Sequence, residues 1–195
     1  MFTWHPGFAR SQKRKNVAAL HEAAALAGFS PLLEVSSKSE QALGQSLSAF
    51  NLRLEVEGRE TSVESAFQGS KVFEGGGPFT ELLFAESREA KRDPRLRASG
   101  RLIGFRFEGR DIPLTPDTAF YDWLYLSALQ RQPESLARLE GHAGFTDIEF
   151  NPKRSLNCQA RTCALVAALR TRGLLPAEPL SFGSFRKLLL AAAAQ

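Results

Sequence analysis

Glycine and proline cut this chain into short pieces, and that punctuation limits its fold more than any other feature. Gly28 with Pro31, Gly58, the GGGP run at 75–78, Asp93-Pro94, Gly109, Pro133 and Gly173 each interrupt a hydrophobic pattern. Glycine and proline are the strongest local breakers, so the elements between them must be short and of mixed type. Ser11 to Ala27 keeps helical periodicity, with Ser11 as an N-cap and Gly28 as the stop. LSAFNLRLEVEGRE alternates apolar and polar residues and predicts a strand ending at Gly58. TSVESAFQGSKVF then reads as an amphipathic helix that the GGGP run closes. Short helices are expected over 79–85 and 88–98. LIGFRFEGRDIPL alternates again and predicts a hairpin around Gly109. Further helices follow from Pro116 or Asp117 through Gln130, from Pro133, over Gln159 to Arg172 and over Phe182 to Ala194, with FTDIEFNPKRSLN as an irregular connector. The expected architecture is α+β: one mostly helical domain over residues 1–195 with a small antiparallel sheet.

Composition narrows the class further. The 195 residues are 43% hydrophobic and 24% charged, a globular mix large enough for a core without disulfides. No apolar run reaches the length of a membrane span, and MFTWHPGFARSQKRK lacks the core of a signal peptide. Cys158 and Cys163 are five apart in one helical pattern and so face different ways; both read as small core residues in a reducing, cytoplasmic setting. His5, His21 and His142 have no metal-ligand spacing, and no phosphate-cradling or dinucleotide glycine motif is present. Neither metal nor cofactor is expected. The formal net charge is +4. Its basic residues cluster at Arg10, Lys13, Arg14 and Lys15, from Arg88 to Arg101, and at Lys153, Arg154 and Arg161. Such clusters suit a polyanion, although solvated basic faces explain any one of them equally well.

Within TSVESAFQGSKVF, Glu64, Gln68 and Lys71 interrupt the apolar surface along one line. If the helix runs through Lys71, seven residues bring Glu64 and Lys71 within about 20° of each other around the axis. An amine and a carboxylate would then converge on one ligand group, with Gln68 between them. Gly69 costs about 1 kcal/mol relative to Ala in a helix, which close approach of a ligand or of another backbone would justify. The competing reading is local: Thr61 as N-cap and Glu64 as its partner form a capping box. Trp123 and Asp122 lie among apolar neighbours, and Trp123 reads as core.

The segment SVESAFQGSKVF resembles the E-x-x-F-Q-x-x-K signature of the NADAR family, which includes the YbiA-like N-glycosidases. Glu64, Phe67, Gln68 and Lys71 hold the matching positions. LSAFNL resembles the family's FSNF segment, with Ala49 where Asn is usual and Asn51 after Phe50. FTDIEFNPKRSLNCQARTCALVAALRTRG resembles its late acidic loop and last helix, with Asp147 and Asn157 at the polar positions. WHPGF, SQKRKN, LEVSSKS, SREAKRD and TAFYDWLY extend the resemblance to the branch of NADAR antitoxins paired with DarT-type DNA ADP-ribosyltransferases.

That resemblance implies hydrolysis of ADP-ribose from guanine in DNA, reversing the modification made by a DarT-type toxin. It implies Lys71 as a nucleophile forming a Schiff base with the ribose, and Glu64 as its acid/base partner. Phe50, Asn51, Gln68 and Gly69 are expected to line the ligand pocket. Arg88 and Arg92, one helical turn apart, could clamp the pyrophosphate or form a solvated face. Asp147 could bind ribose hydroxyls or the base edge, or cap a turn; Asn157 could hold a ligand or cap the helix after it. Two other functions stay open: a YbiA-like N-glycosidase acting on a small phosphorylated metabolite, and a binding module that holds the toxin or the mark without turnover.

Overall fold

The computed structural model describes residues 1–153 and 155–193. Among them the chain is α+β, as its sequence pattern predicts. The backbone gathers into two compact units, each assembled from separate stretches of sequence. One comprises Met1–Asn51 with Gln132–Pro176; the other comprises Leu52–Arg131 and the segment from Ala177 on.

In the first unit, α1 (Arg10–Leu26) starts one residue earlier than expected. Its N-cap is Ala9 with no side-chain cap, so Ser11 does not have the capping role its type suggests. Gly28, at φ +86°, ends the helix as expected. After β1 (Leu32–Glu34) and α2 (Ala42–Ser46), the chain re-enters this unit with α7 (Pro133–Arg138), a 3-10 turn at Leu139–Gly141, β7 (Gly144–Thr146) and α8 (Gln159–Thr171). β1 and β7 pair in parallel, with Leu33 opposite Phe145. The sequence pattern anticipates neither strand, since three residues are too few to show alternation. Part of the segment read as an irregular connector is therefore β7. Arg154 lies outside the described residues.

The second unit opens with a tight hairpin. β2 (Arg53–Val56) and β3 (Arg59–Ser62) are joined by Glu57-Gly58, both at positive φ. That is the twist-matched two-residue turn a hairpin favours, with glycine in the left-handed position. Glu108-Gly109 repeats it between β5 (Leu102–Phe107) and β6 (Arg110–Ile112). β3 corrects the sequence reading, which ended the strand at Gly58 and passed directly into a helix.

The helix that follows, α3 (Val63–Gly69), is shorter than the pattern suggests. Its N-cap is Ser62, whose hydroxyl accepts from the Ser65 amide at 3.0 Å. Thr61 instead donates its hydroxyl to the Leu83 carbonyl. Glu64 is thus one position too early to close a capping box, and that reading falls. The helix stops because the Arg106 amide donates to the Ser70 carbonyl at 2.7 Å, drawing the chain into β4 (Lys71–Phe73) beside β5. Lys71 stands on a strand, not on the helix that carries Glu64 and Gln68.

A 3-10 turn (Thr80–Phe84) and α4 (Ser87–Arg92) pack on α3, and α5 (Arg95–Ala98) leads into β5. The core of this unit is α6 (Ala119–Gln130), where Phe120, Leu124, Tyr125, Leu126 and Leu129 are buried. Trp123, expected in the core, is half-buried: it packs against Phe107, Phe120 and Phe182 and donates its indole N–H to the Leu180 carbonyl. Phe182 begins α9 (Phe182–Ala193); Ala194, the expected end of that helix, lies outside the described residues.

Candidate functional site

Glu64 projects from the first turn of α3 and is only 5% exposed. Gln68, one turn on and 6% exposed, donates its amide to Glu64 Oε1 at 2.7 Å. Lys91 Nζ reaches the same oxygen at 3.5 Å from α4. Glu64 Oε2 has no hydrogen-bond partner among the described residues. Reversing the Gln68 amide would set its carbonyl against the Glu64 oxygen, so the donor side is fixed. Its other end, Gln68 Oε1, is buried without a partner among the described residues. An acceptor sealed from water in this way costs about 1–3 kcal/mol.

Lys71 enters from β4 with its amine 4.7 Å from the Phe67 ring centroid. Burial pushes its pKa down to about 8; the Glu64 charge pulls the other way, and the Lys91 charge adds to the lowering. Desolvation disfavours the charged amine more than one carboxylate, itself paired, restores it. The two groups therefore share one electrostatic environment, although they come from a helix and a strand.

Gly69 meets the second of its two expected needs, the close approach of another backbone. A Cβ there would lie 2.6 Å from the Leu83 nitrogen and 2.9 Å from its side chain. The close approach it allows is that of the 3-10 turn's backbone, so a ligand is not needed to explain this glycine. Arg88 and Arg92 share one exposed face of α4, while Ser87 and Ala90 face inward and are buried. Lys91, one turn beyond Ser87, reaches Glu64. The i, i+4 spacing of the arginines drew attention to the outer face of the helix, and Lys91 was legible only as one member of a basic cluster.

The first unit holds its own acidic cluster. Glu34, 2% exposed, accepts from Ser36 Oγ at 2.6 Å, Thr146 Oγ1 at 2.6 Å and the Ile148 amide at 2.8 Å. Because Thr146 gives its only hydroxyl proton to Glu34, His21 Nε2 must be the donor in its 2.8 Å bond to Thr146. Burial lowers the His21 pKa, with the Glu34 charge opposing. Asp147 follows Thr146. Burial raises its carboxyl to about 6, against the hydrogen bond from Gln159, while the Glu34 charge pushes further upward. Asp147 Oδ1 accepts from the Glu149 amide, and Oδ2 accepts from Gln159 Nε2, both at 3.0 Å. Gln159 Oε1 in turn accepts from the Ala49 amide.

A family model described as DarT1-associated NADAR antitoxin matches residues 1–195. The chain belongs to that NADAR antitoxin family. A search of curated proteins finds no match.

For this NADAR antitoxin, Glu64, Gln68 and Lys71 come together in the second unit with Lys91 as an unforeseen fourth member. Gly69, Arg88 and Arg92 belong to the same unit, whereas Phe50, Asn51, Asp147 and Asn157 lie in the first. Asp147 has the turn-capping bond that was one of its two readings, and also a perturbed carboxyl. Asn51 gives its amide nitrogen to the Gln45 carbonyl at 2.7 Å and so secures the turn after α2. Phe50 precedes it, half-buried. Asn157 does not cap α8; Cys158 is the N-cap, and Asn157 bonds through its backbone to Ser155. Glu34 and His21 went unrecognised, since a single acid in a short strand and a lone histidine carry no spacing signal. Cys158 and Cys163 are free thiols, the latter buried. Among the described residues, no helix is long and apolar enough to cross a membrane, and no group of His, Cys, Asp and Glu could hold a metal ion.

Proposed function

We propose that this DarT1-associated NADAR antitoxin is a glycohydrolase that releases ADP-ribose from modified guanine in DNA, with Lys71 as nucleophile and Glu64 as acid and base. The observation that carries the reading is the half-buried Lys71 amine, packed on the Phe67 ring with its pKa lowered to about 8, near a carboxylate with one uncommitted oxygen. An ordinary lysine is neutral in about one molecule in three thousand at pH 7; at a pKa near 8 the fraction is about a tenth. Only the neutral amine has a lone pair to give.

The steps balance as follows. The Lys71 ammonium passes its proton to Glu64; the neutral nitrogen then bonds to the anomeric carbon as the bond to guanine breaks, and Glu64 hands that proton to the leaving base. The ribose ring then opens: its oxygen takes the proton that the alkylated Lys71 nitrogen sheds, and the lysine–carbon bond becomes an iminium. Glu64, now ionised, removes a proton from water as its oxygen adds to the iminium carbon. Collapse of that adduct returns Lys71 and frees ADP-ribose. Such chemistry passes through an oxocarbenium-like state, which the nearby carboxylate stabilises. Arg88 and Arg92, exposed on α4, remain candidates for the pyrophosphate in this reading. The two free thiols support a reducing, cytoplasmic setting.

The test is release of ADP-ribose from a guanine-ADP-ribosylated oligonucleotide by the wild type, Glu64→Gln and Lys71→Ala. Borohydride added during turnover should leave a covalent adduct on Lys71 alone. A Lys71→Ala variant that turns over normally removes the Schiff base. One that protects cells from the toxin without turnover replaces the enzyme by a binding module. Release from small phosphorylated N-glycosides but not from DNA would move the substrate class.

A further inference from the structure

The modified guanine from which the proposed reaction starts carries two N-glycosidic bonds. One joins it to the deoxyribose of the strand, the other to the ribose of the ADP-ribosyl group. A hydrolase that confused them would leave an abasic site in place of a restored base. At the carbon next to the anomeric centre the two sugars differ by one hydroxyl, present on the ribose and absent from the deoxyribose. Telling them apart there calls for an acceptor near the reacting carbon that the protein's own donors leave alone.

Gln68 holds such an oxygen. Glu64 and Gln68 are four residues apart on α3 and so share one face of it. The 2.7 Å bond from Gln68 Nε2 to Glu64 Oε1 fixes the amide in one orientation. Across a single amide group, Gln68 Oε1 is then no more than about 5 Å from the same carboxylate oxygen. It is buried and accepts from no donor among the described residues. The hydroxyls on and around the helix are committed elsewhere: Ser65 donates to the Ala85 carbonyl, Ser70 to the Ala66 carbonyl and Thr61 to the Leu83 carbonyl. Hydrogen bonds that are incomplete without substrate and close in the complex are common at catalytic sites.

We propose that Gln68 Oε1 accepts a hydrogen bond from the 2-hydroxyl of the ribose whose anomeric carbon Lys71 attacks, and so confines cleavage to a ribosyl bond. This rests on the assignment of Glu64 and Lys71 as the reacting pair. The 2-oxygen is two bonds from the reacting carbon, so a sugar that meets Glu64 at that carbon brings the hydroxyl towards the neighbouring acceptor. A deoxyribose brings no proton there, and the acceptor stays unpaired in the complex as it is in the empty site. One side chain then has two duties: its nitrogen positions Glu64, and its oxygen reads the sugar.

The test crosses one protein group with one substrate group. Oligonucleotides carrying ADP-ribosyl-guanine, or the same adduct lacking the 2-hydroxyl on that ribose, are given to wild type, Gln68→Met and Gln68→Glu. The intrinsic lability of the deoxy bond is common to all three proteins and cancels between them. The preference for the hydroxylated substrate in kcat/KM should shrink by about 10- to 100-fold in Gln68→Met. Gln68→Glu keeps an accepting oxygen at the same reach and should retain the preference even where its rate falls. A general loss of stability lowers both substrates alike and leaves the preference unmoved. Calorimetric titration with free ADP-ribose and its 2-deoxy analogue needs no turnover and should show the same pattern in affinity. Equal affinity of the wild type for those two ligands overturns the proposal without any variant. Normal turnover with the same preference in wild type and Gln68→Met removes the contact and leaves the glycohydrolase. A binding preference that Gln68→Met loses, with no turnover by any of the proteins, removes the glycohydrolase and leaves the contact.

Discussion

Glu34 in the first unit and Glu64 in the second are both withdrawn from water, at 2% and 5% exposure, yet their oxygens are spent differently. Glu34 takes a hydroxyl from the turn after its strand, and a hydroxyl and a backbone amide from β7 and the residues that follow it. It joins two short parallel strands that have few ladder bonds of their own. Glu64 takes an amide and an ammonium on one oxygen, keeps the other, and is neighboured by a carbonyl with no partner at all among the described residues. Burying polar atoms unsatisfied costs stability, and native chains rarely keep the arrangement without a use for it. The satisfied acid has the bonding of a joint; the unsatisfied set has bonding capacity left over, which is what the proposed catalytic reading would use.

The comparison breaks most sharply at Lys71. Lys71→Ala should lower ADP-ribose release by about 10³-fold or more while leaving the thermal midpoint close to wild type, as expected when a residue acts in the chemistry and not in the fold. Glu64→Gln should cost about 10²- to 10⁴-fold by the same assay, because the amide can neither give nor take the proton. Equal losses of folding and activity in both variants would make the site another joint.

Glu34→Ala tests the opposite side. It leaves donors from Ser36, Thr146 and Ile148 without their acceptor, at about 1–3 kcal/mol for a buried group so abandoned. At about 2–4 °C per kcal/mol for a chain of this size, a fall of several degrees should appear in calorimetry. A thermal midpoint unmoved in Glu34→Ala would mean the hub does not hold the strands.

The fold was legible where a local rule dictated it. Glu57-Gly58 and Glu108-Gly109 marked their turns, Gly28 and Gly173 their helix ends, and the apolar run around Phe120 and Leu124 the central helix of its unit. It was not legible where the chain is shaped by something distant. Whether Lys71 continues a helix or opens a strand is decided by Arg106, which bonds to Ser70 from across the sheet. The parallel pairing of Leu33 with Phe145 joins residues too far apart for any window of sequence to link. Gly69 announced a close approach by a ligand or a backbone, and only the structure shows that it is the Leu83 backbone. Residue identity thus pointed to Glu64, Gln68 and Lys71, but the helix expected to carry all three stops before Lys71, and Lys91 was hidden behind the arginine spacing.

Lys91 gives a finer version of the first test. Its charge lowers the Lys71 pKa, and its bond to Glu64 draws on the carboxylate that would otherwise attract the Lys71 proton. Lys91→Met removes both effects, so the Lys71 pKa must rise. Since attack needs the neutral amine, the rising limb of kcat/KM against pH, near 8 in the wild type, should move to higher pH. Activity at pH 7 should fall about tenfold for every whole pH unit the limb moves. Lys91→Arg should restore the wild-type limb. A uniform drop at every pH would instead show that Lys91 holds substrate or structure.

The smallest effect belongs to Asp147, and its sign separates it from the ordinary surface acid. Its folded pKa, about 6, lies above the usual carboxylate value because burial disfavours the charge. The folded state therefore holds the proton more tightly than the unfolded chain does. The stability this contributes is complete below the unfolded pKa, near 4, and is lost as pH rises through 6. Wild type should accordingly lose stability between pH 4 and pH 6.5 by an amount that Asp147→Asn does not. The asparagine keeps an oxygen for the Glu149 amide or the Gln159 side chain but has no proton to release. Urea melts of both proteins at the two pH values isolate the difference, because every other titrating group is common to them. Parallel loss in wild type and variant would leave Asp147 as a plain turn cap. A difference in the expected direction would mark it as an acid that stays partly protonated near neutral pH, able to donate to a ligand oxygen where a surface aspartate could only accept.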